Sequence, residues 1–123
     1  MEKTEIRVEP VEAFFDRGRK IATAADRGGP IPLSRIVAFD NVQALLRVLT
    51  GRRVLVLKAV KRHPGSITAL AKRLKRDRSA VTRDVHLLEQ YGVVQVSEKS
   101  LPGHGRQKWI RPIAQEIQVI ANL

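Results

Sequence analysis

The 123-residue sequence contains no cysteine, one tryptophan, one tyrosine and three phenylalanines. Without cysteine the chain can form neither a disulfide framework nor a thiolate metal site, and an oxidising compartment gains no support. No apolar run approaches the roughly 20 residues that span a bilayer, and the first residues lack the pattern of a signal peptide. The sequence therefore predicts a cytoplasmic protein without membrane association.

Patterns typical of enzymes and of cofactor sites are also missing. The sequence shows no Ser, His and acid arrangement, no glycine-rich phosphate loop and no paired carboxylates. The three histidines, His63, His86 and His104, are too scattered to form a metal site without cysteine partners. We therefore expect a protein that is not an enzyme and that needs no cofactor or metal.

Positive charge is abundant and unevenly distributed. The chain holds 23 Lys or Arg against 12 Asp or Glu, a formal net charge of +11. Residues 51–123 hold fifteen basic and five acidic side chains, whereas residues 1–50 hold eight and seven. A domain this basic usually has a polyanionic partner, either nucleic acid or an anionic membrane surface. The distribution places anion binding in the later part of the chain.

Apolar spacing and turn residues predict the elements of the first part and of the tail. Residues 1–9 alternate weakly and predict a frayed end or an edge strand, and residues 11–26 have a helical stripe. A short strand over residues 34–40 precedes a helix over residues 42–49. The tail, residues 113–123, fits a helix or a strand equally well.

Three further helices and a hairpin are predicted in the basic part. Thr50 and Ser66 are placed to cap the starts of two helices, and Gly92 suits the end of a third helix over about residues 78–91. The runs "VVQVSEK" and "RQKWIRP" alternate as strands around the turn sequence "SLPGHG". A β-hairpin therefore follows the third helix.

The third helix has the pattern of a recognition helix. If Val81 lies at the centre of its buried face, the residues that point outward are Ser79, Arg83, His86 and Gln90, with Thr82 at the margin. Its start would attract a phosphate through free amides and the helix dipole. A helix, a short turn, a second helix with a polar face and a hairpin together predict a winged helix-turn-helix. The expected fold class is α+β, mainly α, with an N-terminal extension of helix and strand.

The segment "SITALAKRLKRDRSAVTRDVHLLEQYGVVQVSEK" resembles the core of winged-helix regulators of the multiple-antibiotic-resistance (MarR) type. The segments "LTGRR", "HPGSITALAKRLKRDRSAVTRDV" and "HGRQKWIRP" resemble more closely a family of predicted prokaryotic DNA-binding regulators. The genes of that family often sit beside a toxin gene, and some members are called antitoxins. The resemblance spans about residues 34–123. It implies that Ser79, Thr82 and Arg83 face bases and that Arg78 lies near a phosphate.

These observations predict an N-terminal extension over residues 1–33, a DNA-binding domain over residues 34–112 and a tail over residues 113–123. Arg83 is the best candidate for a bidentate contact to guanine, which is worth about 1 to 3 kcal/mol of discrimination. Lys75, Arg76, Lys99 and Arg106 are expected to bind phosphates without sequence preference. The predicted DNA-binding residues are Ser66, Lys75, Arg76, Arg78, Ser79, Thr82, Arg83, His86, Lys99, His104, Arg106 and Lys108.

The expected function is a sequence-specific regulator, a repressor that binds double-stranded DNA as a homodimer on the nucleoid. One alternative is an antitoxin-type module that neutralises a toxin through residues 1–50 and regulates its own operon. Another is an RNA-binding winged helix. The apolar residues Phe14, Phe15 and Ile21 would bury against the three helices or form the homodimer contact. Trp109 would stack on a base, anchor the wing strand or fill a dimer contact.

Overall fold

Residues 3–30, 34–103 and 105–122 are described by the computed structural model and form five helices and six strands. In chain order these elements are β1 (Lys3–Val8), α1 (Val11–Asp26), β2 (Ser34–Phe39), α2 (Val42–Val48), α3 (Gly51–Arg62), β3 (Gly65–Ser66), α4 (Ile67–Leu74), α5 (Arg78–Gln90), β4 (Val94–Leu101), β5 (Gly105–Pro112) and β6 (Glu116–Ala121).

The chain divides into two compact units. Residues 1–47 and 114–123 make up what we name the terminal unit, and residues 48–113 make up the central unit. The sequence predicts domain boundaries after residues 33 and 112, whereas the two units divide the chain after residues 47 and 113. No helix among the described residues is long and apolar enough to cross a membrane.

The terminal unit is built on a parallel sheet with the strand order β2-β1-β6. Ile6 of β1 is in register with Val37 of β2 on one side and with Val119 of β6 on the other. The prediction of a frayed end or an edge strand for residues 1–9 is therefore wrong, because β1 is the middle strand. Local alternation identifies a strand but not its neighbours, and here one neighbour comes from the far end of the chain. The tail, left open by the sequence, is a strand.

The helix α1 buries none of its residues. Phe14, Phe15 and Ile21 are 39%, 55% and 36% exposed, and the rings of Phe14 and Phe15 meet edge to face with centroids 5.7 Å apart. Of the two alternatives predicted for these side chains, burial within the chain is therefore wrong, and the homodimer contact stays a prediction. An apolar stripe shows which face of a helix avoids water, but not what covers that face.

The central unit begins with two capped helices, as predicted. The Thr50 hydroxyl accepts a hydrogen bond from the Arg53 amide at 3.3 Å, and the Ser66 hydroxyl accepts one from the Ala69 amide at 3.1 Å. After α5, Gly92 has a φ of 73°, a left-handed conformation that glycine adopts without strain. These contacts confirm the three helix ends that the sequence predicts.

The central unit has a core that draws on all three of its helices and on the hairpin. Val56 and Val60 of α3, Leu70 of α4, Leu88 of α5 and Ile110 of β5 are each at most 3% exposed. Because every element contributes a fully buried side chain, the three helices and the hairpin are held around one core.

The hairpin belongs to a three-stranded sheet with the order β3-β5-β4. The two-residue strand β3 pairs with Ile110 and Trp109 of β5, a strand that the sequence did not predict. Gly103 and Gly105, with φ values of 80° and 68°, form the turn between β4 and β5. Three helices followed by a hairpin on a short third strand form a winged helix-turn-helix, and the predicted α+β fold class is confirmed.

Candidate nucleic-acid interface

The helix α5 presents a polar face to solvent. Val81, Val85 and Leu88 are at most 3% exposed and form its buried side. On the opposite side the predicted outward residues are all exposed, namely Ser79, Arg83, His86 and Gln90. The predicted burial pattern of α5 is therefore confirmed. Four hydrogen-bonding side chains at helical spacing are available to a ligand.

The turn between α4 and α5 places positive charge in front of this helix. Lys75 ends α4 in a left-handed conformation with a φ of 52°. Arg78, the first residue of α5, is exposed, and the Asp77 side chain before it does not cap the helix. Lys75, Arg76 and Arg78 line a shallow hollow at this turn. An anion placed there would meet these side chains and the free amides of the helix start.

A groove of about 330 Å³ lies between α5 and the β4–β5 hairpin, and we name it the wing groove. It is lined from the start of α4, from the first turns of α5 and from both hairpin strands. The wing groove brings together five of the twelve predicted DNA-binding residues, which are Ser66, Arg78, Thr82, Arg106 and Lys108.

Two hydroxyl groups in the wing groove are held by the backbone. The Ser66 hydroxyl accepts from the Ala69 amide, and the Thr82 hydroxyl donates to the Arg78 carbonyl at 2.7 Å. Each hydroxyl can donate one hydrogen bond and accept others. Ser66 therefore still has a proton to donate, for example to a phosphate oxygen, whereas Thr82 can only accept.

Two basic side chains of the hairpin, Lys99 and Arg106, contact other side chains of the hairpin. The Lys99 ammonium lies 4.1 Å from the centre of the half-buried Trp109 ring, a cation–π contact. Arg106 forms an ion pair with Glu98 across the strands at 3.3 Å, and both side chains are exposed. Solvent screens such a pair, so Arg106 can exchange Glu98 for a stronger anion at low cost. Glu98 itself lines the wing groove and opposes a phosphate there.

Asp84 of α5 is a buried carboxylate for which the sequence predicted no role. One oxygen accepts a hydrogen bond from Arg53 Nε at 3.1 Å, and the other lies 2.8 Å from an Arg76 guanidinium nitrogen. Asp84 thus links α3, the turn and α5. Its position between Val81 and Val85 on the apolar face was the available signal, because a buried carboxylate needs a basic partner. The pairing offsets part of the charge that Arg76 could offer to a phosphate.

The other predicted residues that the structure describes do not line the wing groove. Ser79 and His86 lie on the outward face of α5, and Arg83 also lines a separate hollow beside α3. The His86 ring lies 4.0 Å from the Glu89 carboxylate. His104 lies outside the described residues. Among the residues that are described, no group of three or more His, Asp or Glu side chains is placed to hold a metal ion.

A family comparison matches the whole of the central unit and the six residues that follow it. The profile of the HVO_A0114 family matches residues 48–119, which is more than half of the chain. The chain belongs to the HVO_A0114 family. The matched residues contain the three helices, the wing groove and the hairpin of this HVO_A0114 protein.

Solved structures resemble the HVO_A0114 protein over about two thirds of its length. One is described as a "possible transcriptional regulator" from Methanosarcina mazei Go1, with 27% identity, a TM-score of 0.50, and coverage of 63% of this chain and 68% of that chain. Another is the homodimeric winged helix-turn-helix DNA-binding domain of Mb0332 from Mycobacterium bovis, a "possible ArsR-family transcriptional regulator". It has 18% identity, a TM-score of 0.47, and coverage of 63% and 74%. No curated protein matches the chain.

The net positive charge of the chain lies in its central unit. Residues 48–113 contain fifteen Lys or Arg and four Asp or Glu, whereas the terminal unit contains eight of each. The whole net charge of +11 therefore lies on the unit that carries α5 and the wing groove. A field of this sign attracts polyanions to that unit.

Proposed function

We propose that this protein is a sequence-specific regulator of transcription that binds double-stranded DNA and has no enzymatic activity. The observation that carries the proposal is the exposed polar face of α5, next to a basic groove on a unit with a net charge of +11. A winged helix-turn-helix inserts such a helix into the major groove. The solved structure at 27% identity, described as a "possible transcriptional regulator", supports the proposal.

In this proposal the outward face of α5 reads bases and the surrounding cations bind phosphates. Arg83 makes a bidentate contact to guanine, and Ser79, Thr82 and His86 contact neighbouring positions. The wing, formed by β4 and β5, lies on the backbone or in the minor groove. Phosphates are bound without sequence preference by Ser66, Lys75, Arg76, Arg78, Lys99, His104, Arg106 and Lys108.

We further propose that the regulator represses transcription on the nucleoid in the cytoplasm, as a homodimer held by α1. A single winged helix contacts few base pairs, and two-fold pairing on a palindromic site supplies the missing specificity. The exposed Phe14, Phe15 and Ile21 provide an apolar surface for a second copy. A toxin partner on the same surface, the antitoxin alternative, would compete with that second copy.

The homodimer is tested by sedimentation equilibrium of the purified protein. The wild type should have twice the chain mass at micromolar concentration, and Phe15→Glu should have the mass of one chain. Leu46→Glu, which changes a residue of α2 that is 59% exposed, is the control and should remain dimeric. A monomeric wild type would rule out the second copy, and co-expression with the product of the neighbouring gene would then test the toxin alternative.

DNA binding is tested with the fragment upstream of the protein's own gene and with random DNA of equal length, at two salt concentrations. Preferential and salt-sensitive binding to the upstream fragment is expected, because base contacts add to a phosphate term that salt weakens. Double-stranded RNA is the competitor and should not displace the fragment. Equal binding to both DNAs would contradict sequence-specific regulation.

A further inference from the structure

The flank of α5 that faces away from the wing groove also lies beside a basic hollow. This hollow, of about 550 Å³, lies between α5 and the start of α3. Its lining includes Arg52 and Arg53 from the first turn of α3, Arg76 from the turn, and Arg83 from α5. We name it the α3 hollow. Neither Arg52 nor Arg53 is among the residues that the sequence predicts to bind DNA.

The two depressions lie on opposite sides of the recognition helix. The wing groove is lined from α5 by Arg78 and Thr82, and the α3 hollow by Ala80, Arg83 and Asp84. At 100° per residue these two sets are centred about 170° apart around the helix axis. The exposed face with Ser79, Arg83, His86 and Gln90 lies between them, opposite the buried face. A ligand that covers the exposed face would therefore meet one depression on each side.

Two arginines of the α3 hollow have charge that no acid offsets. Asp84 pairs with Arg53 and with Arg76, whose side chains are 24% and 21% exposed. Arg52 and Arg83 are exposed and have no ion-pair partner among the residues that the structure describes. Asp84 thus holds the guanidinium groups of Arg53 and Arg76 in the wall of the hollow. The guanidinium groups of Arg52 and Arg83 can contact a ligand.

The start of α3 adds to the positive potential of the hollow. Helix geometry leaves the first amides of α3 without carbonyl partners, and the Thr50 hydroxyl accepts only from that of Arg53. The first turn contains no acidic residue and two arginines, Arg52 and Arg53. Like charge at the positive end of a helix dipole disfavours the helix. Arg52 therefore does not stabilise α3, and an anion that binds there would offset the repulsion.

We propose that the α3 hollow binds the phosphate backbone of one DNA strand through Arg52, next to the base contact of Arg83, while the wing groove holds the backbone of the other strand. The inference rests on the proposed insertion of α5 into the major groove. That groove is about 12 Å wide and has one strand on each side, so a helix inside it has a phosphate backbone along each flank. The two basic depressions on opposite flanks of α5 match this arrangement.

The test combines single protein variants with single neutral linkages in the DNA. Arg52→Ala changes the α3 hollow, Arg106→Ala changes the wing groove, and Arg62→Ala at the other end of α3 is the matched control. Each variant is titrated against duplexes of the upstream fragment in which one phosphate at a time is replaced by an uncharged methylphosphonate. Urea unfolding of each variant checks that the fold is retained.

Arg52→Ala should lower the slope of log affinity against log salt by about one for each bound protomer, on specific and on random DNA, whereas Arg62→Ala should not change it. Within one half-site, the methylphosphonates that weaken the wild type but not Arg52→Ala should lie on one strand. Those with the same behaviour for Arg106→Ala should lie on the other strand. Arg52→Ala should be at least as stable as the wild type.

Two results would overturn the inference. One is an Arg52→Ala variant that binds DNA with the salt slope of the wild type, and the other is coupling of Arg52 and Arg106 to phosphates of the same strand within one half-site. If the wild type binds DNA and Arg106→Ala weakens that binding, either result would show that the α3 hollow is not a phosphate site. The proposed function would then still hold. If the wild type binds no duplex DNA, the proposed function itself fails.

Discussion

The two units of the chain differ in net charge and in the number of apolar side chains that they bury. The central unit carries the whole net charge of +11, and the terminal unit has equal numbers of acidic and basic side chains. Among the described residues, thirteen buried apolar side chains belong to the central unit and four to the terminal unit. The central unit thus encloses a core and offers charge to a polyanion. The terminal unit buries few apolar side chains and leaves the apolar face of α1 exposed.

The largest effect is expected from a cavity in the core of the central unit. Leu88→Ala, at 0% exposure, should lower the free energy of unfolding by about 2 to 5 kcal/mol, because the removed methyl groups leave a cavity. Leu55→Ala makes the same change in the same unit at 58% exposure and should stay within about 0.5 kcal/mol of the wild type. Urea unfolding followed by circular dichroism measures both. Equal losses for the two variants would mean that the core of the central unit does not hold it together.

A smaller loss is expected when the charge links within the central unit are cut. Asp84→Asn keeps the shape of the side chain but removes the charge that holds Arg53 and Arg76. Leaving two partly buried guanidinium groups without their counter-ion should cost about 1 to 3 kcal/mol of unfolding free energy. Asp77→Asn, an exposed neighbour whose side chain does not cap α5, is the control and should be nearly neutral. If the two variants are equally stable, Asp84 does not hold α3 and α5 together.

The difference in charge between the units is tested with two arginines of the central unit and one of the terminal unit. Arg83→Ala in the central unit should weaken binding to the upstream fragment by about 1 to 3 kcal/mol and relax selectivity at one base pair. Arg106→Ala should weaken specific and random DNA alike. Arg35→Ala, an exposed arginine of β2 in the terminal unit, should leave both affinities unchanged. An equal loss on specific and random DNA for Arg83→Ala would contradict its assignment to base recognition.

The sequence predicted the central unit better than the terminal unit, and the reason is how far apart the interacting residues are. The caps at Thr50 and Ser66 and the turn at Gly92 act within a few residues, so their patterns are local. The sheet of the terminal unit instead pairs Ile6 with Val119, which no local period reveals. The same limit hid the short strand β3, whose partner is more than forty residues away.

The candidate site was predictable as a set of faces but not as a set of contacts. The spacing in α5 identified its outward residues, because helical period and burial are directly linked. The spacing did not show that Arg76 pairs with Asp84 or that Arg52 and Arg83 line the same hollow, because both arrangements depend on how α3 packs against α5. Charge content alone had favoured Arg76 as a phosphate ligand, and the structure gives it a partner within the protein.

The smallest expected effect lies in the terminal unit, at the middle strand of its sheet. Glu5 is buried in β1 and pairs with Lys3 at 3.0 Å and with Arg7 at 2.7 Å. The hydrogen bond from Lys3, followed by the contacts with Arg7, lowers the pKa of Glu5 below its usual value of 4.5, against the opposing effect of burial. The folded state therefore binds fewer protons than the unfolded state near that pH.

Stability contributed by a carboxylate with a lowered pKa is present above its unfolded pKa and is lost as the pH falls through the folded value. We expect Glu5→Gln to reduce the free energy of unfolding at pH 7 and to flatten its decline below about pH 4.5. Because Lys3 and Arg7 are each 35% exposed, solvent weakens both pairs and keeps the change small. Urea unfolding from pH 7 to pH 3 measures it, with the exposed Glu116→Gln on β6 as the control. If the free energy of unfolding of both variants falls with acid as that of the wild type does, the ion pairs of Glu5 with Lys3 and Arg7 do not stabilise the terminal unit.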